Sequence, residues 1–193
     1  MRDLALLTFL TLDGVMQSPS GPEEDTSGGF INGGWARSCW DEVMAQVMEE
    51  AMAEPYDLLL GRKTYETFAA SFADVGDADP TARKLNGATK FVVTSTLEKL
   101  DWNRSELIAG DVAAAVADLK AQDGPLLQVH GSWQLAQTLV ANDLVDEFRL
   151  WVFPVIVGSG KRLFGGGNSA SGLTLSRTRR TTNGAVMSIY RRQ

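Results

Sequence analysis

Arg62, Lys63 and Thr64 stand directly after the apolar run Leu58-Leu59-Leu60 and a glycine, Gly61. A strand that ends at a glycine and opens a helix leaves backbone N–H groups free at the helix N-terminus, where an anion is stabilised. Two cations and a hydroxyl at that point suit a phosphate, and a guanidinium can fork two of its oxygens. The same residues also describe a plain strand–helix junction with two solvated basic side chains. Gly131-Ser132, between an apolar strand and a helix, repeats the arrangement. Thr94 and Ser95 offer hydroxyls at the C-terminal end of another strand, which is where open α/β sheets bind ligands. Asp13, in Leu12-Asp13-Gly14, closes the first strand. It reads either as a turn residue or as a carboxylate for a substrate.

Gly158-Ser159-Gly160-Lys161 imitates two nucleotide-binding motifs and fits neither. A dinucleotide fingerprint needs glycine where Leu163 stands, and a triphosphate loop needs glycine and a hydroxyl where Val155 and Arg162 stand. What remains is a glycine-rich connection whose N–H groups could approach a ligand, or a tight turn at positive φ. His130 by itself reads more readily as a satisfied strand-end residue than as a catalyst.

The elements that would position these groups follow from apolar spacing. Leu4 to Leu12 reads as a central strand, Leu58 to Leu60 and Leu126 to Val129 as buried strands, and Thr89 to Thr94 as another. Asp13 to Gly34 holds Gly14, Gly21, Gly28, Gly29, Gly33 and Gly34 with two prolines, and is expected to be a structureless, functional loop. A helix is predicted to start at Ser38, with Asp41 in its first turn. Trp40, Val43, Met44, Val47, Met48, Ala51 and Met52 recur at helical spacing and mostly describe core. Further helices are expected over Tyr65 to Phe72, over one turn at Thr81 to Leu85, after Asp111, and over Trp133 to Ala141. A short strand is expected at Glu106 to Ala109 and a long one over Val145 to Val157. Asn183-Gly184 between two strand-like runs, Leu173 to Thr182 and Ala185 to Arg191, is a strong hairpin signal. Strands alternating with helices and closed by such a hairpin give an α/β fold with a mixed sheet.

The 193 residues fit one domain, 1–193, able to bury roughly 70% of its unfolded surface. A net charge of −6 argues against a nucleic-acid surface. One cysteine, Cys39, and one histidine, His130, exclude an internal disulfide and a cysteine- or histidine-rich metal site. No apolar stretch is long enough to span a membrane, and no leader precedes the first strand, so a cytoplasmic protein without membrane partners is expected.

Gly61-Arg62-Lys63-Thr64-Tyr65 resembles the cofactor-phosphate motif of the dihydrofolate reductase superfamily, and other stretches fit in the same order. These are Leu12-Asp13-Gly14-Val15, Phe91-Val92-Val93-Thr94-Ser95, Gln128-Val129-His130-Gly131-Ser132, Asp146 to Leu150, and Pro154 to Phe164. The branch it is most similar to is the reductase domain of bifunctional riboflavin-biosynthesis deaminase–reductases. The paired cysteine motif of the zinc deaminase half is missing, so only the reductase would be present. The resemblance covers nearly the whole chain. It implies a three-layer α/β/α fold with a mixed, mostly parallel sheet and a C-terminal antiparallel hairpin.

It also implies an NADPH-dependent oxidoreductase acting on a small aminopyrimidine or pterin-like heterocycle, similar to 5-amino-6-(5-phosphoribosylamino)uracil reductase. By this resemblance Arg62, Lys63, Thr94 and Ser95 flank the 2′-phosphate, and Gly131 and Ser132 meet the pyrophosphate. Gly61, Thr64, His130, Val157, Gly158 and Gly160 complete the cofactor contacts. The 13–34 loop would be mobile and close over the nicotinamide. Asp13 becomes the catalytic, substrate-binding acid, with Trp40 and Met44 lining the substrate pocket. True dihydrofolate reductases carry a carboxylate on the first helix, where this chain has Val43, Met44, Ala45, Gln46 and Val47. Dihydrofolate reductase is therefore the alternative within the class, and a non-catalytic nucleotide-binding protein the alternative outside it. The resemblance leaves room for a homodimer.

Overall fold

The computed structural model describes residues 1–76, 78–165 and 172–193. The described residues form an α/β fold with five α-helices and a mixed, mostly parallel sheet of eight strands that ends in antiparallel strands. The chain folds as two compact units, Met1–Ala5 with Glu54–Val145, and Leu6–Ala53 with Asp146–Gln193. Among the described residues no helix is long and apolar enough to cross a membrane.

The first unit contains β2 (Tyr56–Gly61), α2 (Arg62–Phe72), α3 (Pro80–Gly87), β3 (Lys90–Val93), β4 (Ser105–Ile108), α4 (Val112–Ala121), β5 (Leu126–His130) and α5 (Trp133–Ala141). Its strands run β4-β3-β2-β5 and are all parallel. The start of β1 (Leu4–Thr11) follows β5, and the Leu127 N–H donates to the Asp3 carbonyl at 2.9 Å. β2 has a strand on each side, and Leu58, Leu59 and Leu60 are all fully buried. That environment explains why the run is apolar without alternation.

Helix α3 is longer than the single expected turn. Asp79 caps it by accepting from the Ala82 N–H at 2.8 Å, and Pro80 fits the first position, where no N–H is needed. Lys90, within β3, is completely buried. Its ammonium reaches the carbonyls of Ala88 at 2.9 Å, Asn103 at 3.0 Å and Asn86 at 3.2 Å, and lies 4.5 Å from the centre of the Trp102 ring. Burial, with the nearby Arg104 charge, pushes its pKa down to about 8.

The second unit contains most of β1, then α1 (Glu42–Ala51), β6 (Glu147–Phe153), β7 (Leu173–Arg180) and β8 (Val186–Arg192), in the strand order β1-β6-β8-β7. β8 is antiparallel to both neighbours. Its core joins Leu7, Val15, Phe30, Trp35, Met44, Val47, Trp151, Phe153 and Met187.

Three boundaries in the second unit also depart from the sequence reading. Helix α1 starts at Glu42 rather than Ser38, which lies in the short 3₁₀ turn Arg37–Cys39. Asp41 is the cap: one carboxylate oxygen accepts from the Met44 N–H at 2.9 Å, and the other from Thr182. The long strand ends at Phe153, because Pro154 has no N–H to donate and the Val155 N–H turns back to the Phe153 carbonyl at 2.8 Å. The hairpin connection is longer than an Asn-Gly turn. Thr181 pairs with Ala185, the Gly184 N–H returns to the Thr181 carbonyl at 3.3 Å, and only Gly184, at φ +88°, is left-handed. This is a type I turn followed by a left-handed glycine, the usual three-residue solution.

The buried pair Arg2–Asp57 ties the start of the chain to β2, and Arg2 also donates to the Pro125 carbonyl at 2.8 Å. Removing one charge of such a pair leaves the other buried and uncompensated. Asp57→Ala is expected to lower stability by about 3–5 kcal/mol in urea unfolding. The double replacement Arg2→Met, Asp57→Leu should recover much of that loss.

Candidate functional site

In the first unit Gly61 pairs with Val93 and Leu59 with Val129 across parallel ladders. The chain thus leaves β3, β2 and β5 at nearly the same level. Thr94–Ser95, Arg62–Thr64 and Gly131–Ser132 come together at that end. Ser132 links two of the three junctions. Its hydroxyl accepts from the Gly61 N–H at 3.0 Å and donates to Thr64 Oγ1 at 2.9 Å, with the His130 carbonyl 3.1 Å away as a second acceptor. Helices α1, α3 and α4 each begin on an aspartate that caps the first turn. Neither α2 nor α5 has a side-chain cap. Their first-turn N–H groups therefore lack the internal carboxylate that serves the other three helices.

Arg62 and Lys63 are exposed beside this junction. Arg62 Nη1 lies 3.2 Å from each carboxylate oxygen of Glu66, one turn along α2, so it must release an exposed ion pair to take an anion. Thr94 Oγ1 accepts from the Thr96 and Leu97 N–H groups at 3.1 and 3.2 Å, which commits that hydroxyl to its own turn, while Ser95 is exposed. The His130 side chain is 7% exposed, with Nε2 3.1 Å from Gln128 Oε1 and its ring edge-on to Phe68. What His130 presents to the junction is its carbonyl.

In the second unit Asp13 draws together the residues around Gly158. Its carboxylate accepts from Thr11 Oγ1 at 2.7 Å, from the Val157 and Gly158 N–H groups at 3.2 and 2.9 Å, and from Arg162 Nη2 at 3.3 Å. Four donors fill the four lone-pair directions of a carboxylate. The Thr11 hydroxyl and these N–H groups hold its pKa down at about 2. Gly160, at φ +129°, could not carry a side chain, because a Cβ there would lie 2.7 Å from Val15 Cγ1.

The 13–34 segment is neither structureless nor loose. Val15 pairs with Arg162 in a β-bridge, and Lys161 Nζ donates to Asp25 Oδ2 at 2.6 Å and Ser27 Oγ at 2.7 Å. Gln17 donates to the Asp25 and Ser27 carbonyls, both at 2.9 Å, and its own carbonyl receives the buried Trp35 Nε1–H at 2.8 Å. The polar groups of the loop are satisfied internally, so it packs like part of the fold.

A cavity of about 340 Å³ in this unit is lined by Phe9, Ser20, Ala36, Arg37 and Trp40. Trp40 lines it, 50% exposed and edge-on to Phe9 at 6.4 Å. Met44 does not. It is 0% exposed inside the core, on the apolar stripe it shares with Val47, and it cannot line a pocket. Phe9, Ser20 and Arg37 were missed. Phe9 is indistinguishable from core within an apolar strand, but Arg37 carries a signal: it is the one cation between Asp13 and Gly61. Among the described residues no group of histidine, cysteine, aspartate and glutamate side chains could hold a metal ion.

A family model, the RibD C-terminal domain, matches residues 2–187. The uncharacterized protein YyaP of Bacillus subtilis (strain 168) is 30% identical over 137 residues, 69% of this chain and 72% of that protein. A putative riboflavin biosynthesis protein from Shewanella sp. PV-4 has a similar fold, with a TM-score of 0.69 at 20% identity over 100% of this chain and 99% of that one. A pyrimidine reductase-like protein from Corynebacterium diphtheriae gives a TM-score of 0.64 at 12% identity, covering 100% and 92%.

The Asp13 geometry makes an acid-side prediction. A folded pKa of about 2 against an ordinary 3.8 means the carboxylate stabilises the fold above pH 3.8 and loses that contribution as the pH falls toward 2. Asp13→Asn should therefore melt below the parent protein at neutral pH, with the gap closing as both are titrated through that window. A gap independent of pH would mean the charge is not what holds the turn.

Proposed function

The chain belongs to the RibD C-terminal domain family, and from that premise we propose that it is an NADPH-dependent reductase of a small aminopyrimidine or pterin-like ring. The reaction would be similar to that of 5-amino-6-(5-phosphoribosylamino)uracil reductase. The observation that carries this reading is the pair of uncapped helix N-termini, α2 and α5, joined by the Ser132 hydroxyl at the level ends of parallel strands. Two neighbouring sets of N–H groups suit the two phosphates of a dinucleotide. Arg62 and Lys63, outside the junction, suit a third phosphate, the feature that separates NADPH from NADH. The residues present thus fit the cofactor.

Reduced nicotinamide, when bound, supplies the hydride, and the protein's share is binding and orientation. In this reading the α2 and α5 termini hold the diphosphate, and Ser132 keeps their spacing fixed. Asp13 fixes the Gly158 turn. Being ionised at neutral pH and fully engaged, it acts by positioning rather than by giving up a proton. Phe9 and Trp40 offer aromatic faces and edges to a flat ring. The cavity lining includes no carboxylate to pair with a protonated pteridine, which argues against dihydrofolate as the substrate.

NADPH oxidation measured against a panel of aminopyrimidines and pterins tests the activity. Binding of NADPH with no turnover on any of them would favour a sensor. Cofactor choice is testable on its own by calorimetry. Replacing both Arg62 and Lys63 with Ala should weaken NADPH binding by at least about tenfold and leave NADH nearly unchanged. Equal affinity of the parent protein for the two cofactors would overturn the assignment.

A further inference from the structure

We infer that Lys90 is a positioning residue for the proposed cofactor site: its buried ammonium anchors the polar network that fixes the N-terminus of α2. This rests on the cofactor half of the reading above. Helix α2 depends on such an anchor. Of its eleven residues only Tyr65 is buried, whereas α5 buries Leu135, Ala136, Leu139 and Val140. A helix with so small an apolar face gains little from packing, so polar contacts decide where its first turn stands.

Those contacts reach α2 at both ends. Near the start, the Tyr65 hydroxyl accepts from the Trp102 N–H at 3.0 Å, and the two rings lie 6.0 Å apart. Both residues are buried. At the far end, Asn86 Nδ2 donates to the Phe72 and Val75 carbonyls at 3.0 and 3.2 Å. Asn86 Oδ1 accepts from the Trp102 Nε1–H at 2.6 Å, which joins the two ends through one indole. Tyr65 directly follows Thr64, whose hydroxyl accepts from Ser132 at the start of α5. A shift of Trp102 or Asn86 therefore moves the turn whose N–H groups would meet a phosphate.

Lys90 holds both Asn86 and Trp102. Its ammonium lies between 2.9 and 3.3 Å from four oxygens, the carbonyls of Asn86, Ala88 and Asn103 and the side-chain Oδ1 of Asn103. The Trp102 ring covers it, with the ring centre 4.5 Å away. The Asn86 and Ala88 carbonyls stand at the end of α3, where the helix dipole favours a cation. Asn103 is the residue after Trp102. Carbonyl oxygens crowded toward one point repel each other without a cation, and removing the ammonium would leave buried acceptors unpaired. With its pKa at about 8, Lys90 keeps its charge at neutral pH.

The test compares the full chain with Lys90→Met, which keeps most of the stem and removes the charge, and with Tyr65→Phe, which removes only the hydroxyl. Melting temperature shows that each variant is folded. Should Lys90→Met not fold, Lys90→Gln, neutral but still able to donate, takes its place. Amide hydrogen exchange is followed without cofactor over residues 62–66 and over β2 and β5, and NADPH and NADH affinities are measured by calorimetry. In both variants the α2 amides should exchange at least about tenfold faster with β2 and β5 unchanged, a local loosening that a general loss of stability would not give. Both dinucleotides should bind about tenfold more weakly, and their affinity ratio should stay that of the parent, whereas replacing Arg62 and Lys63 changes the ratio. Unchanged α2 exchange, faster exchange spread evenly over α2, β2 and β5, or faster α2 exchange with unchanged affinities would each overturn the inference. A parent protein that binds neither dinucleotide overturns the cofactor reading, and the exchange measurement still decides whether Lys90 sets α2.

Discussion

Ser132 adopts φ +55° and ψ +62°, and Gly131 before it is also at positive φ. A left-handed conformation costs a residue with a Cβ roughly 1–2 kcal/mol. The return is a hydroxyl placed where it meets the Gly61 N–H and Thr64 Oγ1, on the neighbouring strand–helix junction. The level register of β2 and β5 sets the distance, and the twist at Gly131-Ser132 sets the direction. A Cβ at Gly61 would lie 3.5 Å from both Cβ and Oγ of Ser132, an ordinary contact distance. Neither helix has a side-chain cap, and the Gly61 N–H ahead of α2 donates to this hydroxyl instead.

Asp13 does the corresponding work in the other unit with charge. One carboxylate gathers two N–H groups of the Val157-Gly158 turn, a hydroxyl and a guanidinium, and β1 holds its backbone in place. The adjoining 13–35 segment adds its own polar network around Asp25 and Gln17, and buries Val15, Phe30 and Trp35. Its glycines and prolines set turn conformations, and the packing of three large side chains supplies the stability.

The sequence was most readable where the interactions are local. Helix α5 lies where its apolar spacing put it, Asp111 caps α4 as expected, and the α/β alternation with a closing hairpin is observed. Helix α1 was misjudged because both Ser38 and Asp41 are good caps, and the contact that decides between them comes from Thr182 in a distant hairpin. Met44 belongs to the core stripe that its helical spacing with Val47 already described. Asn183-Gly184 fixes that a turn exists but not its length, which depends on pairing across Thr181 and Ala185. The phosphate-type segments could be recognised singly, but their convergence depends on strand register. The saturation of Asp13 was out of reach, since its decisive partners are near residue 158. Nothing in the spacing around Lys90 marks it as buried; the ring of carbonyls that accounts for its burial comes from Asn86, Ala88 and Asn103.

The last strand of the sheet, β7, is exposed along nearly its whole length and carries Arg177, Arg179 and Arg180, with a register shift between Leu175 and Arg177. A terminal strand offers unpaired backbone groups, the usual starting point for strand-by-strand aggregation. Here a second copy laid along that edge would bring arginine against arginine, on a backbone whose irregular register interrupts a continuous ladder. The hairpin is therefore protected against templating its own growth.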